Sequence, residues 1–163
     1  MQYKTRIDDY IIREAVEEDV SLILELIKDL AEYEIRLKEV IATEESLRQS
    51  LFLDNKAKVL IGEVQGIPVG FAIYFYNFSS FKGRAGLYIQ DLFIKPQFRN
   101  NGYGKEMLKI LAGIAEENNC VRFQWNCLNW NEEAMSFYKK IGAECMQEWA
   151  VHRVDIDKIK NLK

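Results

Sequence analysis

The stretch Leu87–Gly104, LYIQDLFIKPQFRNNGYG, decides how this chain folds. Its first eight residues, Leu87–Ile94, form a near-continuous apolar run, which predicts a strand covered on both faces. The polar pair Gln90-Asp91 interrupts that run. Lys95–Asn101, with Pro96 inside it, predicts a loop. A helix is expected from Gly104 to about Asn118, with Met107, Leu111, Ile114 and Ala115 on one stripe. Arg122–Leu128 then reads as another strand. Strand, amphipathic helix, strand is a crossover unit, so Leu87–Ile94 and Arg122–Leu128 should lie parallel and near each other.

Working outward, Val69–Phe78 (VGFAIYFYNF) is a second almost wholly apolar strand, again with both faces covered. A turn at Gln65–Pro68 joins it to a strand over Lys56–Val64, and a loop over Ser79–Gly86 leads out of it. Upstream, Tyr10–Arg13 is a short β-branched strand. Asp19 stands at an N-cap position before a helix on which Val20, Ile23, Ile27, Leu30 and Ala31 recur at helical spacing, widened by Leu22, Leu24 and Leu26. Thr43 caps a shorter helix through about Phe52. Downstream, Asn131 caps a helix to about Ile141, which Gly142 stops, and Ala143–Asp155 reads as two strands. A meander of strands followed by a crossover gives an α/β (α+β) fold: a mixed sheet with helices on both faces.

The 163 residues suffice for one domain spanning 1–163, since domains run to about 100–200 residues. Two prolines and nine glycines leave no flexible linker. An apolar share of 48% with 29% charged residues excludes a disordered or collagenous chain. No apolar run approaches the roughly 20 residues that span a bilayer, so no membrane partner is expected. The opening MQYKTRIDDYIIRE has no apolar core behind a basic start, so no signal peptide is expected. Cys120, Cys127 and Cys145 are odd in number, lack metal-ligand spacing and read as small core residues in a reducing, cytoplasmic compartment. With His152 as the single histidine, no metal site is expected. The net charge of −3, with no basic stripe, argues against nucleic acid as a partner. A mild acidic surplus suits a cationic small molecule, and suits plain solubility equally well.

The segment Arg99-Asn100-Asn101-Gly102-Tyr103-Gly104 lies directly between a buried strand and a helix. Such a loop aims unpaired backbone N–H groups and the positive end of a helix dipole at one point. Gly102 and Gly104 carry no Cβ to block close approach, and glycine allows positive φ. This is the makeup of a phosphate site. The nucleotide fingerprints fail on identity: Met107 stands where a dinucleotide loop needs its third glycine, and Lys105 is followed by Glu106 rather than Ser or Thr. Taken alone, these residues fit a glycine-bearing turn as well as a phosphate site.

A second constellation follows the next strand: Asn131-x-x-Ala134-x-x-Phe137-Tyr138-x-x-x-Gly142-Ala143. Ala134, Phe137 and Tyr138 share one helix face. Phe137 reads as a core aromatic, whereas the Tyr138 hydroxyl needs a partner. The loop and this motif, in this order, resemble the GNAT-type N-acetyltransferases, and IIREAVEEDVSLILELI resembles their first strand and helix. The resemblance runs from about Ile12 to Asp155. LIKDLAEYE at Leu26–Glu34, LYIQDLFI and SFYKKIGA further resemble the diamine (spermidine/spermine-like) acetyltransferase branch.

The resemblance implies acetyl-CoA as donor, a homodimer, and a mostly antiparallel sheet that splays where the donor enters. It places the CoA diphosphate on the main chain of Arg99, Asn100, Asn101, Gly102, Tyr103, Gly104 and Lys105. It pairs the pantetheine arm with Leu92, Phe93 and Ile94, and puts Asn131 against CoA. Tyr138 matches the general acid for the departing thiolate; Tyr33, Glu34 and Trp149 match the acceptor groove. Asp29 and Glu32 lie near that groove and read equally as a solvated helix end, and His152 reads as a strand surface residue.

The chemistry agrees. An alkyl ammonium, pKa about 10.4, must lose a proton before it attacks a thioester. Gln90-Asp91 puts at least one polar group inward on a core strand, which costs about 1–3 kcal/mol unless it is paired. The branch commonly has a glutamate at the position of Gln90, thought to relay that proton. Glutamine cannot accept it, so Asp91 takes over, water carries the proton to bulk, or the acceptor differs from a polyamine. Expected activity is acetyl transfer to a polyamine or lysine-like amine. The alternatives are a GNAT acting on a protein or antibiotic amine, and an acyl-CoA-binding module without catalysis.

Overall fold

The computed structural model describes residues 1–160. The last three residues of the expected domain lie outside them. They divide into two compact units, 1–126 and 127–160.

The first unit is built on a six-stranded sheet in chain order: β1 (Gln2–Lys4), β2 (Tyr10–Glu14), β3 (Lys58–Val64), β4 (Ile67–Ser79), β5 (Arg84–Ile94) and β6 (Phe123–Trp125). Every neighbouring pair is antiparallel except β5 and β6, which run parallel with Leu87 opposite Phe123 and Ile89 opposite Trp125. The crossover is therefore as the sequence pattern dictates. β1 is an addition: its exposed residues carry no apolar alternation, and it exists by pairing its backbone with β2. The loop expected over Ser79–Gly86 shrinks to a hairpin turn, because Ser79 already pairs with Arg84 and Gly83 supplies a φ of 65°.

Helices α1 (Val20–Tyr33), α2 (Glu44–Arg48) and α3 (Tyr103–Glu117) cover the sheet. Ile23 and Leu26 of α1 pack with Leu51, Val59, Ile61, Phe71, Ile73 and Phe93, which defines one face of the sheet. Tyr103 of α3 stacks on Tyr10 at 4.4 Å on the opposite face. The Thr43 hydroxyl caps α2 by accepting the Ser46 N–H. Asp19 stands at the N-cap of α1 but does not cap it. Its carboxylate instead takes both ends of the Arg13 guanidinium, at 2.7 and 2.9 Å, and the Val16 N–H. A fork of charge-assisted bonds outcompetes one capping bond.

β4 departs from the expectation of two covered faces. Val69–Tyr74 are buried, whereas Tyr76 and Phe78 are exposed and Phe75 and Asn77 are half-buried. On the α1 face, the helices cover Phe71 and Ile73 and go no further along the strand. Gly70 sits opposite Ile94, where a Cβ would run into the Phe93 carbonyl and the Ile94 side chain. Gly70→Ala is therefore expected to cost about 1–3 kcal/mol, the range for overpacking. Chemical denaturation should show this as a lowered midpoint at unchanged slope.

The second unit holds α4 (Glu132–Lys140) and the short α5 (Ile156–Ile159). The Asn131 side chain caps α4 by accepting the Ala134 N–H at 3.1 Å, and Gly142, at φ 87°, ends it. The two strands expected over Ala143–Asp155 are absent: no described residue there pairs with a strand, and a strand exists only by pairing. The last strand of the crossover stops at Trp125 rather than Leu128 for the same reason. The cysteines are not core residues either. Cys120 and Cys127 are half-buried and Cys145 is exposed. No helix among the described residues is long and apolar enough to cross a membrane.

Candidate active site

The loop between β5 and α3 has the geometry its composition dictates. Asn100 (φ 65°) and Gly102 (φ 83°) are left-handed, which turns the chain into the helix. The first intrahelical bond runs from the Glu106 N–H to the Gly102 carbonyl. The amides of Tyr103, Gly104 and Lys105 thus take no acceptor within the helix and lie at its positive end. Gly104 is an ordinary helical residue, and a Cβ there would make only van der Waals contact with Ile94. Left-handed freedom is needed at Gly102 and not at Gly104. Asn101 braces the loop by donating to the Phe98 and Arg99 carbonyls. The Arg99 side chain is committed to protein groups. Its Nε donates to the Ile94 carbonyl, and its guanidinium lies 4.0 Å above the Tyr33 ring. What Arg99 offers the loop is its main chain.

Leu92, Phe93 and Ile94 lie on the last stretch of β5, opposite Ala72, Phe71 and Gly70. β6 pairs with β5 only as far as Ile89, so β4 and β6 flank β5 together over its first half and not over these residues. The sheet therefore parts where the resemblance places the pantetheine arm.

The Gln90-Asp91 pair is resolved by a β-bulge. Ile89 faces Tyr74 and Asp91 faces Ile73, leaving Gln90 as the extra residue. Gln90 is exposed, and Asp91 turns onto the α1 face with Phe93 and Tyr88. Strict alternation counted from Tyr88 would have sent it to the α3 face. There Asp91 shares a cavity of about 170 Å³ with Leu30, Ala31, Glu34 and Arg36. Burial, then the nearby Glu34 carboxylate, pushes Asp91 up to about 6. Burial also raises Glu34, with Arg36 opposing and Glu39 adding to the shift. Tyr33, at the end of α1, lies beside Phe93 with ring centroids 6.2 Å apart.

Asp29 belongs to another surface: it and Glu25 hold Lys95, at 3.4 and 3.3 Å. Glu32 is exposed. Sequence reasoning missed Tyr88, whose ring pairs with Phe75 at 5.1 Å next to Asp91 along the same face. The bulge hid it, because regular alternation puts Tyr88 and Asp91 on opposite faces.

In the second unit, Tyr138 is half-buried on α4 beside Phe137, at 5.5 Å between ring centroids. Burial, then Cys127, pushes its hydroxyl up to about 12. Trp149 and His152 are exposed in irregular chain rather than in a strand.

A model of the acetyltransferase (GNAT) family matches residues 22–143. The chain belongs to that family. It is 36% identical to the thialysine N-epsilon-acetyltransferase of Bos taurus, over 93% of this chain and 95% of that protein. It is 33% identical to the spermidine/spermine N(1)-acetyltransferase-like protein 1 of Homo sapiens, over 86% of this chain and 21% of that one. An integron cassette protein of V. cholerae superposes with a TM-score of 0.80 at 26% identity, covering 94% of this chain and 97% of that one. This GNAT chain is an N-acetyltransferase of the diamine acetyltransferase branch.

Proposed function

We propose that this acetyltransferase moves an acetyl group from acetyl-CoA to a primary amine of a small cationic acceptor, a polyamine or lysine-like amine, by direct attack. The observation that carries the reading is the Asp91 carboxylate, half-buried in a cavity with Glu34 and raised to about 6. Glu39 and Arg36 also line this cavity and pair with each other at 2.6 Å, so its remaining charge is that of Asp91 and Glu34, which attracts an ammonium. A carboxylate with a raised pKa is a better base for its proton, yet is still ionised at neutral pH. Gln90 is exposed, and its amide accepts no proton, so the base role falls to Asp91. The amine nitrogen bonds to the thioester carbon, its proton passes to Asp91, and the carbon–sulfur bond breaks. Tyr138, raised to about 12, keeps its proton at pH 7 to meet the departing thiolate. Related enzymes are named for the side-chain amines of thialysine in Bos taurus and of ornithine in Arabidopsis thaliana. Both names support a terminal amine as acceptor.

The donor assignment rests on the free amides at the start of α3 and on the β5 edge beyond Ile89. Gly102→Val tests it. The substitution forces a β-branched residue to φ 83° and brings its Cβ to 3.3 Å from Ile7 Cδ1. The strain of about 1–2 kcal/mol falls on the loop. Calorimetry should show acetyl-CoA binding weakened about tenfold or more with the fold retained; an unchanged Kd removes the loop as the diphosphate site. Thiol release from acetyl-CoA with a panel of amines tests the whole reading. Short cationic amines should release CoA. Tight acetyl-CoA binding with no release for any amine would favour the binding module instead.

A further inference from the structure

The first turn of α3 carries the amides assigned to the donor, and its own residues hold it weakly. Gly102 stands at the N-cap with no side chain to cap the helix. Gly104 is a weak helix former, and helix ends fray unless something ties them down. An anion cradle nevertheless gains affinity from being set before the anion arrives.

The tie comes from the turn between β1 and β2, which meets this part of α3 at three points. Tyr10, 1% exposed, stacks on Tyr103. It lies over Gly62, where a Cβ would come within 2.4 Å of its hydroxyl. Ile7 stands against Gly102. Glu106, only 6% exposed, accepts the Arg6 N–H on Oε2 at 3.1 Å and the Lys109 ammonium on Oε1. The turn is itself braced: the Thr5 hydroxyl donates to the Tyr10 carbonyl at 2.8 Å and accepts the Ile7 N–H at 3.1 Å.

Glu106 is a costly way to fill that space. Burial disfavours its charge, and its place in the first turn sets a carboxylate at the end of the helix that attracts anions. A carboxylate there works against a bound diphosphate, and Lys109 offsets it only in part. A leucine would bury as much without either cost. What leucine lacks is an acceptor for the Arg6 N–H. Tyr10 shows the same division of labour. Its hydroxyl is buried with no partner among the described residues, so its contribution is the ring.

We propose that Tyr10 and Glu106 are positioning residues for the donor: they fix the first turn of α3 to the β1–β2 turn, so that the Tyr103, Gly104 and Lys105 amides are already set for the CoA diphosphate. The proposal rests on the donor assignment above.

The test measures the Kd of acetyl-CoA by calorimetry on the full-length protein, with Tm recorded for each variant. Glu106→Leu should raise Kd about tenfold, the weight of a bond to a charged group. Glu106→Gln still offers an oxygen to the Arg6 N–H and should bind acetyl-CoA at least as tightly as the native protein, within about twofold. Tyr10→Leu should raise Kd about 3- to 10-fold, the share of an aromatic pair. Tyr10→Phe keeps the ring and sheds the unpartnered hydroxyl, so Kd should hold while Tm rises. The sign separates position from charge. A carboxylate that acted only by repelling the diphosphate would make Glu106→Leu bind more tightly. Tighter binding, or a Kd unchanged within about twofold while Tm falls, overturns the proposal. Should Tyr10→Leu fail to fold, Glu106→Leu decides. In the Gly102→Val background the Glu106→Leu effect should shrink, because both act on one loop. Gly102→Val with an unchanged Kd removes the donor assignment and this proposal with it. A weakened Gly102→Val beside unchanged Glu106→Leu and Tyr10→Leu overturns the positioning role alone.

Discussion

Asp91→Asn should lower kcat/KM for the amine acceptor by about 10³-fold, within the usual range for loss of a general base. Asparagine is nearly the same shape and takes no proton, so the loss reports chemistry rather than packing. In the proposed mechanism the ionised form of Asp91 does the work, so the native enzyme should lose activity as pH falls through about 6. That acid limb should vanish in the variant; a limb that persists near pH 6 moves the base elsewhere. Stability should change in the opposite sense. Asp91 stands at about 6 when folded against 3.8 ordinarily. Between those values the folded protein binds more protons than the unfolded one, so its stability falls as pH rises. Above about pH 6 the whole penalty is present, and asparagine never bears it. Asp91→Asn should therefore raise Tm at pH 7, by the equivalent of about 1–2 kcal/mol, and leave it unchanged near pH 4. On the proposed mechanism, a carboxylate held where burial disfavours its charge is stability given up for function.

Tyr138→Phe should lower kcat by about 10²-fold or more while leaving acetyl-CoA affinity intact. Phe137 beside it and the α4 backbone are untouched by loss of one hydroxyl. A tyrosine raised to about 12 remains a donor throughout the working range. Its proton is held more tightly than that of a free thiol, pKa about 8.5. Burial works on the thiolate too: expelled into a dry site it becomes more basic, which narrows the gap. A binding module without catalysis has no use for this hydroxyl. Equal turnover in the two proteins would remove Tyr138 as the acid, and single-turnover measurements would show whether release of product conceals the effect.

The order and direction of the strand–loop–helix–strand unit were legible in the sequence, though its last strand ends at Trp125 rather than Leu128, because apolar runs, glycines and a helical stripe each answer to local rules. The caps at Thr43 and Asn131 were legible for the same reason. What escaped depends on partners distant in the chain. The Asp19 carboxylate was taken from its cap by Arg13, a tertiary contact that no local pattern records. Ala143–Asp155 carries enough apolar residues to suggest strands, but without a pairing edge it forms none. The cysteines looked small and apolar enough for the core, yet none is fully buried. Within the site, the sequence named Asp91 and Glu34, whereas their common cavity, the elevated Asp91 and the neighbouring Tyr88 required the bulge.

That bulge also separates the constraints on two adjacent positions. The Gln90 side chain takes no part in placing the aspartate, which pairs with Ile73 in regular register with Phe93, so in the proposed mechanism residue 90 is free to drift while residue 91 is not. Deleting one codon there would keep every remaining side chain of the strand on its present face. Replacing Asp91 is expected instead to carry the about 10³-fold loss predicted for its asparagine variant. Under the proposed mechanism, laboratory evolution of this enzyme for new acceptors would meet a tolerant and an intolerant site side by side.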